Sequence, residues 1–116
     1  MTNGGRPAIL AFCAARCGPC KVLAPQLDLV SAHERERVRV LKIDCEESPE
    51  NAALSSELCI RALPTIIWVG ADGAEVQRGE GPLSAKMIRK IAECRFFGGE
   101  MPQNMPARAN IDLPGG

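Results

Sequence analysis

Cys17 and Cys20 stand two residues apart in "RCGPC", with Gly18 and Pro19 between them and Arg16 in front. Three chemistries fit that spacing: a redox pair, half of a metal site, or two structural cysteines that happen to be close. A C-x-x-C between a buried strand and a helix favours the first. A residue at a helix start faces unpaired N–H groups and the positive end of the helix dipole. A thiolate gains most there, so the position draws the Cys17 pKa down from ~8.5 toward ~7, and the thiolate is the nucleophile of disulfide exchange. Cys20, one turn on and more enclosed, is then placed to attack the resulting mixed disulfide and release the reduced partner. Gly18 lets a partner backbone come close. Pro19 suits the first helical turn because it has no N–H to satisfy.

The elements that must position this pair can be read on either side of it. "PAILAFC" (Pro7 to Cys13) is a short apolar run of the kind a strand buried on both faces shows. Beyond the pair, Leu23, Leu27 and Val30 at i, i+4, i+7, with Val22, mark a helix with one apolar stripe, whose charged end "HERER" suits an exposed last turn. Pro25 inside it removes a backbone donor and predicts a kink. "VRVLKID" reads as a second strand. Ser48-Pro49-Glu50 then supplies an N-cap, a proline at the first helical position and an early acid for a helix running to about Cys59. "PTIIWVG" and "AEVQR" around the turn "ADG" predict an antiparallel hairpin, with Gly73 taking positive φ. A last helix carries Leu83, Met87 and Ile91 on one face, and the lone Trp68 falls in a core strand. The order β-α-β-α-β-β-α implies a mixed four-stranded sheet with helices on both faces.

Composition bounds what the chain can do. Its 116 residues suit one domain. We divide it into a folded unit, residues 1–97, and a Pro/Gly-rich C-terminal tail, residues 98–116, without periodicity. Basic and acidic residues balance at 14 each, which argues against nucleic acid or an anionic membrane as partner. No apolar run approaches the ~18 residues of a membrane span. With the polar "MTNGGRP" start, this predicts a cytoplasmic protein. Of six cysteines, Cys13, Cys45, Cys59 and Cys94 are expected to pack as small hydrophobes, and His33 to be a solvated helix residue.

The combined motifs resemble the thioredoxin family over about Pro7 to Cys94. "CGPCK" is similar to its active site and Ala24-Pro25 to its kinking proline. "RALPT" (Arg61 to Thr65) is similar to the loop whose proline, here Pro64, is cis in the family and faces the redox pair. Asp72-Gly73 and Gly81 are similar to its hairpin turn and the glycine near its substrate groove. The resemblance implies a thioredoxin-like α/β fold that lacks the family's first strand and helix. It also implies a protein-disulfide reductase with Cys17 as nucleophile and Cys20 as resolving cysteine. Arg16, Gly18 and Pro19 would form the active-site loop, and Leu63, Pro64 and Gly81 the substrate-binding surface. No cofactor and no metal are needed. The partners implied are protein disulfides and a thioredoxin reductase or equivalent electron donor, with the chain acting as a monomer.

Three departures from the family pattern stand out. Arg16 replaces the usual tryptophan and adds a positive charge expected to lower the Cys17 pKa. Ala11 and Val40 replace a buried carboxylate and its lysine. Their joint loss leaves no lone buried charge, but removes a proton acceptor near Cys20. The missing first strand leaves one sheet edge less covered, and the tail is a candidate to cover it. Two other readings compete: a redox-inactive binding module on the same fold, and a metal-binding protein, either an iron–sulfur site on Cys13, Cys17 and Cys20, which spell C-x3-C-x2-C, or a metal site on Cys17, Cys20 and two of the other cysteines.

Overall fold

The computed structural model describes residues 5–100 and the backbone of 110–112. Elements run β1 (Ala8–Cys13), α1 (Gly18–Glu34), β2 (Arg39–Asp44), α2 (Pro49–Glu57), β3 (Thr65–Val69), β4 (Glu75–Glu80), α3 (Ala85–Phe97) and β5 (Asn110–Asp112). The sheet order is β2-β1-β3-β4-β5, with β1 and β2 parallel and the other neighbours antiparallel. All four expected strands and three helices are present. The fifth strand comes from the tail expected to cover a sheet edge, and the edge it covers is that of β4. Beyond β2, at the other edge, no strand is added among the described residues.

β1 is apolar throughout because both of its faces are covered. Strand side chains alternate between faces, and Ile9 and Ala11 join Ile66 and Trp68 against Leu23, Leu27 and Val30 of α1 and Ile88 and Ile91 of α3. Ala8, Leu10 and Phe12 face the other way, with Ile67, and Leu54 and Leu58 of the α2 region pack there. Trp68 is fully buried and its indole N–H donates to the Ile88 carbonyl at 3.3 Å, which ties β3 to α3. Each helix starts where its local chemistry dictates. The Ser48 hydroxyl accepts from the Asn51 N–H with Pro49 following, and the Ser84 hydroxyl accepts from the Met87 N–H. Gly98 ends α3 at φ +80°, the left-handed conformation that glycine adopts at no steric cost.

The end of α1 departs from its sequence pattern. "HERER" reads as a solvated turn, yet Glu34 is buried, because α3 crosses α1 there and brings Arg89 against it. The Glu34 carboxylate accepts from Arg37 Nε at 3.2 Å and pairs with Arg89 Nε at 3.6 Å. Arg37 also reaches Glu93 of α3 and lies over the Phe97 ring, 4.0 Å from its centroid. Arg89 Nε is buried with no hydrogen-bond partner among the described residues, so Glu34 is its electrostatic counterpart. Glu34→Ala is therefore expected to destabilise by about 1–3 kcal/mol, the cost of leaving buried polar groups unmatched. Urea unfolding of both proteins measures it.

Candidate active site

The chain leaves β1 at Cys13, turns through 14–16 and enters α1 at the cysteine pair. The Cys17 N–H donates to the Ala14 carbonyl at 3.1 Å, closing that turn. Cys17 is the N-cap of α1, and its sulfur accepts from the Cys20 N–H at 3.3 Å. A backbone donor at the helix start thus points at the Cys17 sulfur, an arrangement that would favour an anion there. Cys17 and Cys20 are joined as a disulfide with Cα atoms 5.3 Å apart. The two sulfurs differ in access, since Cys17 is half-buried and Cys20 buried. Gly18 and Pro19 are exposed on the first turn, and a Cβ at Gly18 would meet no atom within 4 Å. The space in front of that glycine is open to a partner.

β3 brings the second half of the site. Phe12 pairs with Thr65, so Pro64, one residue earlier, lies at the end of the sheet from which the cysteine loop springs. The Leu63–Pro64 peptide bond is cis, and the Pro64 carbonyl accepts from the Gly81 N–H at 2.9 Å. Gly81 has φ +106°, a conformation open to glycine and strained for other residues. Leu63 is half-buried against the α2-side core, next to the buried Pro64.

Arg16 is placed differently from its sequence expectation. Its guanidinium binds the Glu46 carboxylate at 2.6 Å, in the turn between β2 and α2, and is 84% exposed. The positive charge next to Cys17 is therefore paired with a carboxylate and faces water. Ala11 and Val40 sit in the α1-side core, Ala11 fully buried, and supply no ionisable group behind Cys20.

The remaining cysteines divide. Cys13 and Cys45 are half-buried and pack against the two cores, Cys94 is half-buried on α3, and Cys59 is exposed. Cys59 follows α2 at φ +56°, in the left-handed region, and that turn carries its side chain away from the core. It does not pack as the small hydrophobe expected. Among the described residues, no three His, Cys, Asp or Glu side chains are gathered as a metal ion would require.

Cys13 opens into a feature that sequence alone did not show, a cleft of about 310 Å³ that it lines together with Cys20, Lys42, Asp44 and Glu47. Burial pushes the Cys13 thiol up, Cys45 and Asp44 add to the rise, and Lys42 opposes it. A raised thiol pKa means that thiolate appears only at higher pH. Alkylation of Cys13 by iodoacetamide is accordingly expected to rise with pH along a curve displaced above that of a free thiol (~8.5), as residue-resolved mass spectrometry can follow.

A strand, a cysteine-capped helix and a cis-proline loop meeting at one end of a mixed sheet define an α/β dithiol protein, and comparison with known proteins agrees. The family profile described as Thioredoxin matches residues 2–93, and the chain belongs to the thioredoxin family. It is 35% identical over 94 residues to thioredoxin Y1, chloroplastic, of Arabidopsis thaliana, covering 80% of this chain and 52% of that one. It is also 35% identical over 92 residues to a thioredoxin-like protein of Synechocystis, covering 78% of this chain and 84% of that one. Among solved structures, chloroplastic thioredoxin z superposes with a TM-score of 0.65 at 39% identity, covering 75% of each chain. The chain thus spans about half the length of the first of these relatives and most of the second.

Proposed function

We propose that the protein is a thiol–disulfide oxidoreductase that reduces protein disulfides through Cys17 and Cys20. The observation that carries this reading is the unequal access of a bonded cysteine pair at a helix start: Cys17 half-buried and capped by a backbone N–H, Cys20 buried. In the reduced protein the Cys17 thiolate attacks one sulfur of the substrate disulfide. A Cys17–substrate bond forms and the other substrate sulfur leaves as a thiolate. Cys20, deprotonated, then attacks the Cys17 sulfur, giving the Cys17–Cys20 disulfide and releasing the second substrate sulfur. Two electrons have passed to the substrate, and a thioredoxin reductase or equivalent donor restores the dithiol.

In this reading Leu63, Pro64 and Gly81 hold the substrate as an extended strand beside the pair, and Arg16, Gly18 and Pro19 form the rim that meets it. Residues 1–97 act as the catalytic unit, with 98–116 as a tail whose strand β5 lies along β4, the chain working as a monomer without cofactor, metal or nucleic acid. Four further free cysteines support a reducing compartment, which we take to be the cytoplasm; thioredoxin Y1 is named as chloroplastic. No helix among the described residues is long and apolar enough to cross a membrane.

One observation favours the rival reading of a binding module. With Ala11 and Val40 in the core, neither position supplies a group to take the Cys20 proton. Reduction of insulin by the protein, driven by dithiothreitol, separates the two. Turnover above the dithiothreitol background, lost on blocking Cys17, is expected; background rates alone would leave the binding module.

A further inference from the structure

Cys20 is the one member of the cleft's lining that has a part in that exchange. Its space exists because Ala14, Ala15 and Ala24 line it with side chains of one carbon, where larger residues would fill it. At about 310 Å³ it lies at the small end of the ~300–1,000 Å³ range of small-molecule sites. Its lining also carries charges of both signs, the ammonium groups of Lys21 and Lys42 and the carboxylates of Asp44 and Glu47. Lys42 shares its ammonium with Asp28 at 2.6 Å, and Asp44 accepts from the Glu46 N–H at 2.9 Å, while Lys21, Lys42 and Glu47 are all exposed. A lining that holds both ammonium and carboxylate groups suits a ligand bearing both, as an amino acid does. Cys13, a free thiol, forms part of the same wall.

We propose that this cleft binds a low-molecular-weight disulfide of amino-acid character and that Cys13 takes one half of it as a mixed disulfide. The Cys13 thiolate attacks one sulfur of R–S–S–R. The Cys13–S bond forms as the S–S bond breaks, and R–S⁻ leaves and takes up a proton equivalent to the one Cys13 lost to water. The bound disulfide is itself the oxidant. Prior binding matters here because burial keeps most of Cys13 protonated near neutral pH, so collisions alone are slow. Exposed Cys59 provides an internal comparison within the same molecule. Because the Cys17–Cys20 disulfide stays closed throughout, this site stands or falls independently of the reductase reading.

The test uses the full chain, oxidised so that Cys17 and Cys20 are bonded, exposed separately to cystine and to uncharged bis(2-hydroxyethyl) disulfide. Adducts at each cysteine are quantified over time by mass spectrometry. The Cys13 rate is expected to saturate with cystine concentration while the Cys59 rate rises linearly. The ratio of Cys13 to Cys59 modification should be at least about tenfold higher with cystine than with the uncharged disulfide, as charge complementarity in the cleft requires. The surface double variant Lys21→Gln, Glu47→Gln should lower that ratio, and Ala24→Leu, which fills the space, should remove the Cys13 adduct while Cys59 reacts as before. A linear Cys13 rate, or the same ratio with both disulfides, would overturn the proposal.

Discussion

Cys17→Ser is expected to abolish disulfide reduction, a loss on the order of a thousandfold or more, as removal of an attacking nucleophile produces. A hydroxyl at this position cannot supply the anion that the helix start and the Cys20 N–H are arranged to receive. The fold should survive, because serine is itself a favoured N-cap and its oxygen can accept the same N–H. Cys20→Ser should behave differently: the first attack proceeds, the mixed disulfide has no internal thiolate to resolve it, and the substrate stays bonded to Cys17. Insulin reduction by each variant, followed by non-reducing mass analysis, distinguishes the roles. Equal residual rates and no trapped substrate with Cys20→Ser would contradict the assignment of nucleophile and resolving cysteine.

The second large effect falls on stability. Trp68→Ala should cost about 3–5 kcal/mol, the range for deleting a large buried aromatic side chain. Trp68 is the largest fully buried residue, it packs among side chains of both α1 and α3, and its indole N–H is bonded to Ile88. Small domains have only about 5–15 kcal/mol of stability in total, so this single change should lower the melting temperature by roughly 15 °C or more. Trp68→Phe keeps much of the apolar volume and gives up the N–H, so it should fall between the two. Thermal unfolding at fixed pH measures all three, and a Trp68→Ala protein melting within a few degrees of wild type would show that β3 is not the seam described.

Much of this arrangement was legible from local chemistry. The start of α2 followed from Ser48-Pro49-Glu50 because a cap, a proline and an acid each act on the backbone next to them. The strands β1 and β3 followed from unbroken apolar runs, and Trp68 from its place in one of them. What escaped notice depends on residues far apart in sequence. Glu34 reads as solvent-facing until α3 sets Arg89 against it, and Arg16 reads as a free charge until Glu46, 30 positions on, meets it. The strand Asn110–Asp112 has three residues and sits among prolines and glycines, too short for any alternation to register. Cys13 could be assigned to a strand, but the cleft it lines is assembled from the end of β1, the turn after it, α1, β2 and the turn beyond β2. Such a gap is a property of the packing and has no local signature.

The central claim is that Cys17 and Cys20 form a reversible two-electron couple, and its direct test is equilibrium titration of the protein against defined thiol–disulfide buffers with mass mapping of each cysteine. The account predicts a single two-electron transition confined to Cys17 and Cys20, with a midpoint nearer the ~−270 mV of reductants than the ~−120 mV of strong oxidants. Failure of that pair to titrate together, or a transition mapping to other cysteines, would contradict it.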